Sequence, residues 1–319
     1  MVAMADLALE AAEFAGGGSV HGYLKRTRAS SDSDGVRISA EHKDFAEITS
    51  ISVESDTAQK ALGKRKGTYV TVEVKGGEIN TYRQQMLLSN ELAGRLRSFT
   101  DAFPLDKGPV LVIGLGNRYV TPDSLGTCVA EKVLATHHIK RRDDKAAREL
   151  FRGMGDVCTF SAGVMGITGI ESAEVIKGLA MLTGACGVIV VDALAARRTS
   201  RVNRVFQLTD TGIVPGSGVG NRRFEISKDT LGIPVVAIGV PTVVDAITLS
   251  CDVMIKAQGV KCEPEDIRDE LTTGIFDNMI VTPKNVDAAI ERLSRVIADA
   301  VNMTLHRGVN INEINEFFI

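Results

Sequence analysis

The stretch Val110-Leu111-Val112-Ile113-Gly114-Leu115-Gly116-Asn117, followed by Arg118 through Pro122 and then Asp123, decides the fold. An unbroken Val/Leu/Ile run marks a strand buried on both faces of a parallel sheet. The glycines let the chain turn sharply away from the strand, which leaves Asp123 near the start of the next helix. Gly187-Val188-Ile189-Val190-Val191 repeats the strand pattern and is closed by Asp192. In open α/β sheets, ligands and chemistry collect where such strands end. A pair of carboxylates delivered to one sheet edge can share a proton, bind a metal or activate water.

The surrounding chain alternates between strand and helix patterns. Downstream come a helix around Leu125 to Ala135, a small-residue loop from Ser161 to Thr168 and a helix from Glu171 to Leu182. A further strand, Pro234 to Val240, runs into Pro241-Thr242-Val243-Val244-Asp245. The last helix, Asn285 to about Leu305, carries Val286, Ile290, Leu293, Ile297 and Val301 on one side. Upstream, Val36-Arg37-Ile38, Ile48 to Val53 and Thr68 to Val74 alternate as half-buried strands do. Leu87, Leu88, Leu92, Leu96 and Phe99 then recur at helical spacing. Asp6 to Phe14 reads as a short helix, broken by Ala15-Gly16-Gly17-Gly18-Ser19, and Ser30 to Gly35 is a second break. Glu265 to Asn278 reads as a polar surface excursion. The pattern predicts an α/β fold: a three-layer α/β/α domain with a mostly parallel central sheet and an N-terminal strand annex.

Composition narrows the function classes. The 319 residues are 44% apolar and 24% charged, an ordinary globular balance. A net charge of −3 gives no electrostatic reason to expect direct nucleic-acid binding. The five cysteines are scattered and form no CxxC pair, which points to a reducing compartment rather than a disulfide framework or a zinc knuckle. No apolar run is long enough to span a bilayer, and the N-terminus lacks a signal-peptide pattern. A cytoplasmic protein without a membrane partner is expected.

Each candidate constellation has a bland alternative. Gly114-Leu115-Gly116-Asn117 lacks the third glycine of a dinucleotide fingerprint, and Pro122 interrupts the helix start. Asp123 taken alone reads as a helix N-cap. Asp192 is followed by the small residues Ala193-Leu194-Ala195-Ala196 and then by Arg197, Arg198, Arg201 and Arg204. These arginines are either ion-pair partners for surface acids or readers of substrate carboxylates, because a guanidinium fork binds a carboxylate through paired hydrogen bonds. Gly212 to Asn221 is glycine-rich but lacks the Lys-Ser/Thr ending of a phosphate loop. It equally suits a flexible wall beside a cleft, with Gly216 and Gly218 against the substrate. Ser217 has no evident histidine partner for a nucleophilic triad.

Taken together, the segments Gly114 to Asn117 with Val120 to Gly126, Gly163 to Glu171, Asp192 to Arg197, Thr211 to Asn221 and Gly239 to Ala246 resemble the germination protease family of endospore-forming bacteria. The resemblance implies an endopeptidase that degrades small acid-soluble spore proteins at germination, in the forespore or spore core. It also implies a self-processing zymogen, a homotetramer and a fold like that of hydrogenase-maturing endopeptidases. Its catalytic aspartates fall on Asp123 and Asp192, and no metal or other cofactor is expected. The family cuts after Glu or Asp, before a hydrophobic residue followed by Ala. Asp6-Leu7-Ala8 fits as the processing site, and Glu13-Phe14-Ala15 is the alternative. Residues 1–6, or as far as 13, are therefore expected as a short prosegment, with 7–319 as a single α/β peptidase domain. Acidic specificity supplies a reason for Arg197, Arg198, Arg201 or Arg204 near the cleft. Val214 stands where the Bacillus-type relatives are expected to carry a histidine. A second reading keeps the fold but makes the acidic pair part of a metal-dependent, nickel-reading maturation-type site. A third makes the chain a binding protein that holds a nucleotide or peptide in its glycine-rich loops.

Overall fold

The structure is a computed structural model and describes residues 7–15, 35–77, 79–141, 151–217, 223–259 and 279–308. The excursion expected at Glu265 to Asn278 lies outside the described residues. In chain order the elements that matter are helix α1 (Ala8–Ala15), strands β1 (Val36–His42) and β2 (Ala46–Val53), helix α2 (Asp56–Leu62), β3 (Gly67–Val74) and helix α3 (Tyr82–Thr100). Then follow β4 (Val110–Gly114), helix α4 (Leu125–Ala130), β5 (Val157–Ser161), helix α5 (Ser172–Thr183), β6 (Gly187–Ala196) and β7 (Val205–Thr209). The last are β8 (Val235–Asp245), helix α6 (Ala246–Gln258), β9 (Ile280–Val281) and helix α7 (Val286–Leu305).

The nine strands among the described residues join one sheet, ordered β1-β2-β3-β7-β8-β6-β4-β5, with β9 on β8. The parallel part is β5, β4, β6 and β8. The N-terminal strands, expected as an annex, extend the same sheet in antiparallel order through the β3–β7 and β7–β8 pairings. The apolar runs behave as two-faced strands must, because successive side chains point to opposite faces. Val110 and Val112 pack with Leu88, Leu92 and Leu96 of α3 and with Leu293 and Ile297 of α7. Leu111 and Ile113 pack on the other face with Ile176 and Ala180 of α5. Helices thus cover both faces, giving three layers. Helix α3 is set by a capping box at Thr81 and Gln84, which satisfies free N–H groups at its start. Leu87 departs from the expected apolar stripe and is exposed.

Strand lengths depart from the sequence reading in one consequential way. Asp192 does not close its strand: β6 continues to Ala196, and β8 runs on through Pro241 to Asp245. The neighbouring β4 stops at Gly114, opposite Val191. Asp192 therefore lies one residue beyond the ledge where the parallel neighbour ends, on a β6–β8 ribbon that projects past it. In the ribbon Asp192 is paired with Gly239, and a register shift falls at Leu194/Ala195. Strands β5 and β7 carry no clear periodic signal. The one covers only five residues and the other is buried throughout.

Candidate active site

Asp123 ends a short 3-10 turn, Thr121–Asp123. The N-cap reading fails, because Ser124 precedes α4 and no side chain caps that helix. Instead the Asp123 carboxylate folds back on its own loop: Oδ2 accepts from the Asn117 N–H at 2.7 Å. Gly116 makes this possible, with φ +100 and a backbone so close that a Cβ would lie 1.9 Å from the Asp123 carbonyl oxygen. The turn is anchored to the ribbon by Thr242 Oγ1, which donates to the Pro122 carbonyl at 2.7 Å. Gly126 brings α4 equally close to β6, since a Cβ there would meet the Val191 carbonyl at 2.3 Å. Two close approaches of backbone thus bring the Asp123 turn against the strand that carries Asp192.

Asp192 is 5% exposed and accepts at Oδ1 from the Ala193 N–H at 2.9 Å. It and Asp123 line the same cavity of about 290 Å³. Desolvation raises the Asp123 carboxyl above its ordinary value, and the Asn117 hydrogen bond opposes that shift without cancelling it. The cavity wall is otherwise largely apolar, with Leu115, Val120, Val164, Val214 and Ile280. Gly216 is on this wall, in a left-handed conformation at φ 69. Gly218 and Asp6 lie outside the described residues. Among the described residues, no group of three or more His, Cys, Asp or Glu side chains is arranged to hold a metal ion.

The arginines nominated after Asp192 are placed elsewhere. None of Arg197, Arg198 and Arg201 lines the aspartate cavity. Arg201 is 4% exposed and faces the N-terminal helix: its Nη1 and Nη2 donate to Glu13 Oε2 and Oε1 at 2.9 and 2.7 Å. Glu10 Oε1 stands 3.4 Å from Arg201 Nη1, and Glu73 Oε2 3.7 Å from its Nε. Arg198 reaches Glu13 at 3.5 Å, and the Arg197 N–H donates to both Glu10 oxygens at 3.0 and 3.1 Å. Arg201 thus pairs with acids, of which Glu10 is buried and Glu13 and Glu73 are partly exposed. Of the processing candidates, Leu7 is fully buried against Leu194 and Val205. Glu13 is held inside α1, and the Phe14 side chain lies outside the described residues.

The cavity does have one basic side chain among its described lining residues, Arg223, and a third carboxylate, Glu171. Sequence reading passed over Arg223 because Arg197 to Arg204 stand closer to Asp192 along the chain. Its position directly after the glycine-rich loop was the available signal.

Comparison with known proteins agrees with the motifs. A family model described as germination protease matches residues 8–262. The germination protease of Clostridium acetobutylicum is 36% identical, with 98% of each chain covered. That of Bacillus cereus is 37% identical, covering 86% of this chain and 88% of its own. A solved NiFe hydrogenase maturation protease, HycI from Thermococcus kodakarensis, aligns with 65% of this chain and 98% of its own at 16% identity and a TM-score of 0.34. By the extent of the family match and the near full-length likeness to these relatives, the chain belongs to the germination protease family.

Proposed function

We propose that this protease hydrolyses peptide bonds with Asp123 and Asp192 as a catalytic pair, and that its substrates are the small acid-soluble proteins of the spore. The observation that carries the reading is the convergence of the two carboxylates on one largely apolar cavity. One carboxyl of the pair keeps its proton and donates a hydrogen bond to the scissile carbonyl. The other is then the base: it takes a proton from water as the oxygen attacks the carbonyl carbon, and returns a proton to the leaving amine.

The preferred bond follows Glu or Asp and precedes a hydrophobic residue, which the apolar wall suits. Self-processing at Asp6-Leu7, with Glu13-Phe14 as the alternative bond, removes an N-terminal prosegment from the single peptidase domain 7–319. Assembly as a homotetramer and action in the spore core complete the proposal. The test is incubation of a small acid-soluble spore protein with wild type, Asp123→Asn and Asp192→Asn, with the cut bonds mapped. Each variant is expected to be folded and inactive. Full activity in either one removes the pair, and activity lost to a chelator and restored by a metal supports the nickel-reading alternative.

A further inference from the structure

We infer that Arg223 is the side chain that reads the acidic residue before the scissile bond, and that Glu171 holds it in the empty enzyme. This inference rests on the peptidase reading above and deepens it. Three observations on the cavity lead to it. Arg223 is the basic group among the described residues that line the cavity of Asp123 and Asp192, whereas Arg201 is consumed by Glu13 and Glu10. Its side chain is about one third exposed within the cavity wall. Its tie to Glu171 is loose: Nη1 lies 3.9 Å from Oε1, beyond hydrogen-bond length.

Further contacts fix the base of the residue and leave its head to exchange partners. The Arg223 N–H donates to the Pro215 carbonyl at 3.1 Å, and Nη1 lies 3.8 Å from Met165 Sδ, a weak acceptor. A substrate carboxylate offers paired hydrogen bonds in place of one long ion pair, and a guanidinium matches that geometry better than an ammonium does. Glu171 also lines the cavity, close enough to accompany the incoming acid but unable to neutralise it. A glutamine in the substrate would forfeit the charge and leave Arg223 with Glu171. The discrimination is therefore a competition between two carboxylates for one guanidinium.

The test uses the full chain and two peptides built on its own Glu13-Phe14-Ala15 context, identical except for Glu or Gln before the scissile bond. Wild type is expected to favour the Glu peptide in kcat/KM. Arg223→Gln is expected to lower that preference by roughly 10- to 100-fold, as losing a charge-assisted hydrogen bond does. Arg223→Lys restores part of it, which a purely structural role would not produce, and Arg198→Gln keeps it. Glu171→Gln, which releases the guanidinium, is expected to lower KM for the Glu peptide and widen the preference. Should Arg223→Gln fail to fold, an unchanged preference in Glu171→Gln overturns the inference. Wild-type discrimination retained in folded Arg223→Gln also overturns it. Equal cleavage of both peptides by wild type removes the inference but leaves the protease reading standing, while cleavage of neither removes both.

Discussion

Glu13 and Arg201 face each other through two hydrogen bonds of 2.7 and 2.9 Å, so an acid of the N-terminal helix occupies the best-buried arginine of the β6–β7 connection. Around this pair stand Glu10, Glu73 and Arg198. Three carboxylates thus crowd one guanidinium, with a second cation at the edge. Ala8 and Ala12 pack on β2 and α2, and the Ala8 N–H donates to Gln207 Oε1 at 2.6 Å. The helix is therefore fixed by charge at one face and by apolar contact at the other.

Removing the cation should release this helix. Arg201→Ala takes the guanidinium from the buried Glu10 and the partly buried Glu13, and breaking a buried ion pair costs about 3–5 kcal/mol. Hydrogen exchange should show faster amide exchange across Ala8–Ala15, with the parallel strands unchanged. Unaltered protection of the helix would mean that apolar packing alone secures it.

The same lock sets the two candidate processing bonds apart. Glu13-Phe14 lies within a helical turn, and Glu13 is held by two guanidinium nitrogens of Arg201. Hydrolysis there requires unwinding α1. Mass spectrometry of aged protein should detect a species beginning at Leu7 before one beginning at Phe14. Arg201→Ala should bring the second species forward. Appearance of the Phe14 species first in wild type would contradict this order.

Docking of α1 should also depend on pH. Burial pushes the Glu10 carboxyl from 4.5 up to about 7, with Arg201 and the Arg197 N–H opposing. Its value in the folded state is the higher one, so folding takes up a proton. The contribution is full below the unfolded value and is lost as pH rises through about 7. A shift of this size corresponds to about 3 kcal/mol. Glu10→Gln should be more stable than wild type at pH 8 and no more stable at pH 4, read from denaturant midpoints. A difference independent of pH would show that Glu10 is ionised throughout.

Gly126→Ala tests the backbone contact that brings α4 to β6. Its Cβ would collide with the carbonyls of Val191 and Leu115 at 2.3 and 2.5 Å. Overpacking of this kind costs about 1–3 kcal/mol. Because the strain falls next to Asp192, activity should drop even at temperatures where the variant is fully folded. Wild-type kcat/KM in the folded variant would show that the ledge tolerates displacement.

The sequence by itself determined the parallel strands, their covering helices and the two aspartates. Continuous apolar runs over Val110–Gly114 and Gly187–Val191 are compatible with little else, and a glycine-flanked acid after such a run has few places to go. What it did not determine was which arginine shares the cavity with those acids. Proximity along the chain favoured Arg197 to Arg201, because nothing in one dimension shows that β6 overshoots β4 and carries those residues past the ledge toward α1. The ribbon's extra length is set by the pairing of Ala193–Ala196 with β8. Long-range hydrogen bonding and packing therefore assigned Arg201 to the N-terminal helix and Arg223 to the cavity. Such pairings join residues far apart in sequence and leave no local periodicity to read.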